Sequence, residues 1–272
     1  MSQTANHLIQ WLRHVSSVAD RDAGERIFAP RVVAELAERG LLGLQIGAEH
    51  GGLALDHGDT ARVLEQLGGV DLGAALFVGL NNYLGVWPIL RHGQLPVREQ
   101  LLPRLAKGEC LAGFAMVEPR VGINSSAWSC EAQAVNGSGW KIFGTKFLSN
   151  GTRDSTVFNV FVRHRERQDV SGFVVSRAAA EVRHDTPVGD DGIARQSVSL
   201  EGLFLKHDDV LGQIGQGMQI ALSAIQHSHL AIGAACLGGM KRCSQLIFQH
   251  ATQRQGGGGA VLAHPVTITK LG

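Results

Sequence analysis

A chain of 272 residues with 44% hydrophobic content is long enough for one large or two ordinary globular domains and needs no disulfide to hold its core. Its formal charge of +1, from 25 Lys and Arg against 24 Asp and Glu, provides neither a basic face for nucleic acid nor an acidic tail, so no nucleic-acid partner is expected. No run approaches the ~18 consecutive apolar residues of a membrane span, and the N-terminus MSQTANHLIQWLRHV lacks the basic-then-apolar layout of a signal peptide. A cytoplasmic protein without a membrane partner is expected. Cys110, Cys130, Cys236 and Cys243 share no spacing suited to zinc or a redox pair, so reduced thiols and no metal site are expected.

Helices open the chain. From Pro30 the pattern VVAELAERGLLGL puts Val32, Val33, Leu36, Leu41 and Leu44 on one helical face, with Gly40 as the C-cap. A loop at Gly51 and Gly52 follows, then a helix with Asp59 or Thr60 as N-cap and Val63, Leu64 and Leu67 as its apolar face. Further helices are expected over residues 74–90 and 97–105.

After Gly108 the period changes. FAMV, SCEAQAV, WKIFGTKFLS, STVFNVFVR, SGFVVS and SVSLEGLFL are short, partly alternating and rich in Val, Phe and Ile, and Asn136-Gly137 marks a hairpin between two of them. From Gly217 a Pro-free stretch predicts a helix of about 37 residues, or about 55 Å. That is too long to lie on a small domain, so Ile225, Leu230, Ile232 and Leu237 call for packing partners in a bundle or an oligomer interface. Gly256 to Gly259 read as a flexible break, since no Lys-Ser/Thr follows to make a phosphate loop. The glycines of GQIGQG are wrongly spaced for a dinucleotide fingerprint. The expected fold class is α+β: an N-terminal helical domain over 1–111, a middle β domain of barrel or sandwich type over 112–212, and over 213–272 the long helix and the start of a C-terminal helical bundle. A long helix with a short stub does not close its own bundle, so the expectation is either that the chain is a fragment or that a second polypeptide supplies the remaining helices.

Several motifs in this order resemble the acyl-CoA dehydrogenase family. They are LAERGLLGLQIGAEHGG with LEQLGGVD, then LLPRLAKGECLAGFAMVEP, then NGSGWKIFGTKFLSNG, and finally GIARQSVSLEGLFLKHDDVLGQIGQGMQIAL. The resemblance covers nearly the whole chain from about residue 27. It implies FAD as cofactor, an acyl-thioester substrate, α,β-dehydrogenation by proton removal and hydride transfer to the flavin, an electron-transfer acceptor, and a homo- or hetero-oligomer formed through the long helix. By resemblance, Phe114, Met116 and Val117 face one part of the flavin ring, and Phe147, Leu148 and Ser149 cover another. Ser149 stands where the family usually has Thr, and its hydroxyl is still a donor. Gly122 and Ile123 lie where backbone N–H groups approach the cofactor phosphates. Arg254 matches an Arg that reaches the flavin of a neighbouring subunit.

The sequence also departs from the family. VEPRVGIN puts Val117 in place of a Thr, Ile123 in place of a Ser and Asn124 in place of an Asp. Gln226 and His229 occupy the positions of an Asp and an Arg that contact the CoA part of the substrate, which hints at a substrate tethered to a carrier protein. Ser228 stands where some members carry the catalytic Glu. No carboxylate lies between Met218 and Arg254, so the catalytic base is unassigned. His227 and His229, two apart on a helix, face different ways and are expected in polar or core roles. The alternative reading is a non-catalytic partner subunit that keeps the fold.

Overall fold

The structure, a computed structural model, describes residues 1–14, 30–118, 121–122, 124–150, 155–184, 196–256 and 259–271. The helical part begins with α1 (Gln3–His14), α2 (Pro30–Glu38) and α3 (His57–Val70). Asp56, not Asp59 or Thr60, caps α3: its Oδ1 accepts the Asp59 N–H at 2.7 Å. Asp59 is committed elsewhere, accepting from the Ser2 N–H at 2.6 Å and from Arg62 at 3.0 Å, which ties the chain start to α3.

The helix expected over 74–90 is interrupted. α4 (Leu72–Leu80) widens into a π-helical turn, Asn81–Val86, before α5 (Trp87–His92), and α6 (Leu95–Ala106) follows. A π turn leaves carbonyls without their usual helical donors, and such turns persist where other groups satisfy them. Here Asn159 Nδ2 donates to the Leu84 and Gly85 carbonyls at 3.0 and 2.7 Å, and Asn150 Nδ2 to that of Leu80 at 3.3 Å. Asn82 Nδ2 donates to the carbonyls of Leu41 (2.8 Å) and Val78 (2.9 Å), and its Oδ1 accepts the Leu44 N–H at 3.0 Å.

The β part comprises β1 (Leu111–Val117), β2 (Glu131–Val135), β3 (Gly139–Phe143), β4 (Thr145–Asn150), β5 (Ser155–His164), β6 (Val170–Ser176), β7 (Glu181–His184), β8 (Gln196–Ser199), β9 (Leu203–Leu205) and β10 (Val210–Leu211). Among the described residues these form one sheet in the order β7-β8-β4-β1-β5-β2-β3-β9, with β6 joining β5 to β10. β5 runs parallel to β1 and β2; the other pairs are antiparallel. Asn136-Gly137 sits in the turn between β2 and β3, as the sequence predicts. β1 is buried on both faces: Phe114 and Met116 join a core shared with α5 and α6, and Ala115 faces a separate core within the sheet.

α7 (Gly217–Gln253) has 37 residues, the length the sequence predicts. It starts against β6, where a side chain at Gly217 would collide with the Ser171 backbone, and then runs along α3. There the two helices touch backbone to backbone. A methyl group at Gly238 would fall on the Glu65 carbonyl oxygen, and one at Gly68 on that of Ala235. Lys241 pairs with Glu65 across the seam at 2.5 Å. Beyond α7 a short pair, β11 (Gln255–Gly256) and β12 (Gly259–Ala260), leads to α8 (Pro265–Leu271). Leu230, Ile232 and Leu237 are exposed, as are Met240, Leu246, Ile247 and Phe248, whereas Ile225 packs on the core. Leu72–His92 and Gly217–Gln253 are long and apolar enough to cross a membrane, but two thirds of the first segment is buried inside this fold.

The α3–α7 seam predicts that Gly238→Val forces the helices apart. The expected cost is about 1–3 kcal/mol of overpacking, read as a lower urea midpoint, while the exposed Gly233→Ala leaves that midpoint unchanged or raises it.

Candidate functional site

The residues expected to face a cofactor sit where β1 and β4 meet, and strand alternation divides them. Val117 lies opposite Phe147 in the ladder, and Ala115 opposite Leu148, with a register irregularity between the two rungs. Val117 and Phe147 are half-buried and Ser149 is exposed, so these three retain surface to offer a ligand. Leu148 points the other way and packs against the core inside the sheet. Phe114 and Met116 do not form a wall. Each is 1% exposed, and the Phe114 ring lies 4.9 Å from that of Phe161. The reason is geometric: alternate residues of a strand leave on opposite faces, and this face of β1 is covered by the helical part.

Gly122 lies just beyond β1, with φ at +59° and nothing within 4 Å of where a side chain would begin. A ligand can therefore approach the Gly122 backbone closely, although its N–H already donates to the Glu118 carbonyl at 3.2 Å and its carbonyl accepts from Trp128 Nε1 at 3.1 Å. Ile123 lies outside the described residues. Asn150, next to Ser149, holds a buried Oδ1 with no hydrogen-bond partner among the described residues. That acceptor lies on the opposite face of β4, where the Asn150 amide donates to the Leu80 carbonyl; the apolar rung, the exposed hydroxyl and the open space at Gly122 fit a planar, partly polar cofactor.

The α7 positions separate in the same way. Gln226 and His229 are exposed, Ser228 is buried with its hydroxyl donating to the Ile225 carbonyl at 2.7 Å, and His227 is half-buried. Arg254, exposed at the C-cap, stands a helix length, about 55 Å, from the end of α7 that touches β6.

Two groupings escape the sequence reading. His57, Tyr83, Trp87 and His227 bring α3, the π turn, α5 and α7 together. The two imidazoles stack at 4.6 Å, and the Trp87 ring lies 4.7 Å from His227. Gln45 Nε2 donates to His57 Nδ1 at 2.9 Å, and the Tyr83 hydroxyl is 3.0 Å from that nitrogen. Burial pushes the Tyr83 phenol up to about 12. Helical periodicity places His227 away from His229 but does not name its companions on other elements. The second grouping is a buried ion pair, Glu118 with Lys146 at 3.0 Å. Its signal was present in TKFLSN: if Phe147 and Ser149 face out, Lys146 faces in.

A family model described as the acyl-CoA dehydrogenase N-terminal domain matches residues 11–109, and one described as the acyl-CoA dehydrogenase C-terminal domain matches residues 215–272. The chain is 29% identical over 267 residues to the mitochondrial very long-chain specific acyl-CoA dehydrogenase of Mus musculus, covering 93% of this chain and 40% of that protein. It is 30% identical over 246 residues to the L-prolyl-(peptidyl-carrier protein) dehydrogenase of Pseudomonas fluorescens, covering 85% of this chain and 63% of that one. A solved structure titled PigA with FAD and proline superposes with a TM-score of 0.87 at 20% identity, covering 100% of this chain and 74% of that chain. The chain thus spans about two fifths of the length of its very long-chain relative.

Burial sets the pH response of the folded chain. It lowers the pKa of His57, helped by His227 and Arg91 against Asp56, and likewise lowers His92 and His164. A folded value below the ordinary 6.5 of a histidine means that folding favours the neutral ring. The associated stability is present above pH 6.5 and is lost as pH falls through the lowered folded values. The urea midpoint is therefore expected to drop between about pH 7 and 5, and His164→Asn is expected to shallow that drop.

Proposed function

The chain belongs to the acyl-CoA dehydrogenase family, and on that premise we propose that it is the flavin-binding portion of an FAD-dependent acyl-thioester α,β-dehydrogenase. The observation that carries this reading is the Val117–Phe147 rung with exposed Ser149 beside it and open Gly122 beyond it. Bound FAD supplies the acceptor for a hydride leaving the substrate β carbon. The chain's own residues supply the setting. Val117 and Phe147 would form an apolar wall that excludes water, the Ser149 hydroxyl would donate a hydrogen bond to the ring, and the open space at Gly122 would let the cofactor come close to the backbone. Arg254, exposed at the C-cap of α7, serves the site of a second copy, as the family resemblance implies. The proton leaving the substrate α carbon has no acceptor on α7, where no Asp or Glu stands.

The thioester carrier follows from Gln226 and His229, both exposed on α7. Neither supplies the fixed charge pair expected for CoA, which favours an acyl group delivered on a carrier protein, and the relative from Pseudomonas fluorescens is named for such a substrate. The lack of a carboxylate on α7 also supports a second reading, a non-catalytic partner subunit that retains the flavin fold.

Purification of the chain and a visible spectrum test the proposal. A yellow protein, or one that takes up added FAD, is expected; a colourless chain that binds none defeats both flavin readings. Ser149→Ala removes one hydrogen bond, about 0.5–1.5 kcal/mol, and is expected to weaken FAD binding by up to about tenfold. Arg254→Ala is expected to lower FAD affinity only where copies associate. Bleaching by an acyl-carrier thioester, and not by dithionite alone, separates the enzyme from the partner subunit.

A further inference from the structure

Lys146 is fully buried in β4, yet it carries an ammonium group. Its Nζ lies 3.0 Å from Glu118 Oε1, donates to the Met116 carbonyl at 3.1 Å, and sits 3.4 Å from the centre of the Trp128 ring. Glu118 is equally committed. One oxygen accepts the Ser129 N–H and hydroxyl at 2.8 and 2.9 Å, and the other accepts the Cys130 N–H at 2.9 Å. Trp128 closes the set by donating its Nε1–H to the Gly122 carbonyl at 3.1 Å, and Gly122 bridges back to Glu118. Burial alone would raise the Glu118 carboxyl, but the two N–H groups and Lys146 outweigh it and hold the carboxyl below the usual range.

This network joins four places: the end of β1, the residues entering β2, the turn at Gly144, which packs on Cys130, and β4 itself. Strand pairing does not require it, because β1 and β4 pair through their backbones. Folding gains little from it as well. Taking two charges out of water generally costs as much as their attraction returns, and a neutral pair of similar volume generally folds as well. The network instead fixes relative position: Lys146 immediately precedes Phe147, Glu118 immediately follows Val117, and Trp128 holds Gly122.

We propose that the Glu118–Lys146 pair, capped by Trp128, is the positioning element of the cofactor rung, setting Val117 and Gly122 against Phe147 so that the rung and the open space at Gly122 meet one ligand. The proposal rests on the flavin reading above. Its role is indirect: neither charged group has surface left to touch a ligand.

The test combines Glu118→Gln with Lys146→Met, which removes both charges at nearly constant volume, and makes Trp128→Phe separately. Three quantities are read on each chain: the urea midpoint, the amide exchange of Ser129 and Cys130 without FAD, and the equilibrium affinity for FAD. The double variant is expected to keep a midpoint close to wild type, to exchange those two amides at least tenfold faster, and to bind FAD at least tenfold more weakly. Trp128→Phe, which loses the bond to Gly122 but keeps most of the packing, is expected to lose severalfold in FAD affinity with the midpoint little changed. A double variant that binds FAD as wild type does, or variants whose FAD affinity falls only in proportion to their midpoints, would overturn the proposal. A wild-type chain that binds no FAD overturns the flavin reading instead, and faster exchange in the double variant then still supports the pair as the element that orders Ser129 and Cys130.

Discussion

The backbone contact between α3 and α7 is the constraint on which the rest of the molecule depends. At Gly68 and Gly238 no side chain separates the helices, so no rotamer can absorb an error in their spacing. The start of α7 is fixed in the same manner by Gly217 on β6. A rigid helix held by backbone at two places sets the angle between the helical part and the sheet. It also fixes what its side chains meet. Gln226 through His229 cover barely more than one turn, yet they divide among solvent, a ring cluster and an internal hydrogen bond. Residues adjacent in sequence here have little in common chemically.

The π turn is the second junction between the two parts, and it depends on amides rather than apolar packing. Asn159 reaches it from β5 and Asn150 from β4, while a side chain at Gly85 would strike the β1 carbonyl of Ala112. Asn150 directly follows Ser149, so the strand that carries the exposed hydroxyl is also the strand that holds the π turn. The position of the rung is therefore coupled to the helical part through hydrogen bonds whose geometry is narrow. Dispersion contacts would tolerate more slippage.

Local features were legible in the sequence, and features with distant partners were not. The 37-residue helix could be read because no Pro interrupts it, and the β2–β3 hairpin because Asn136-Gly137 supplies the turn. The π turn was invisible because the group that satisfies it, Asn159, stands 74 residues from Gly85. Asp59, read from the sequence as a cap candidate with Thr60, is instead occupied by Ser2, 57 residues away, and Asp56 takes the cap. Phe114 and Met116 illustrate a different limit. The resemblance placed both on one strand facing the flavin, but it did not specify which face each side chain takes. Alternation, applied strictly, would have separated Phe114 and Met116 from Val117's neighbours on β4 and turned Lys146 inward.

Glu118 also bears on the unassigned base. It is a carboxylate beside the rung, which makes it the obvious acceptor for a substrate proton. Its surroundings exclude that role. A general base needs a free lone pair, access to the reacting atom and a pKa near the working pH. Glu118 is 4% exposed, both its oxygens already accept hydrogen bonds, and its carboxyl is held low by the N–H groups of Ser129 and Cys130 with Lys146. Those features suit a fixed anchor and make a poor proton acceptor. The buried pair and the unassigned base therefore separate physically: Glu118 is fixed as an anchor beside the rung, and α7 carries no Asp or Glu.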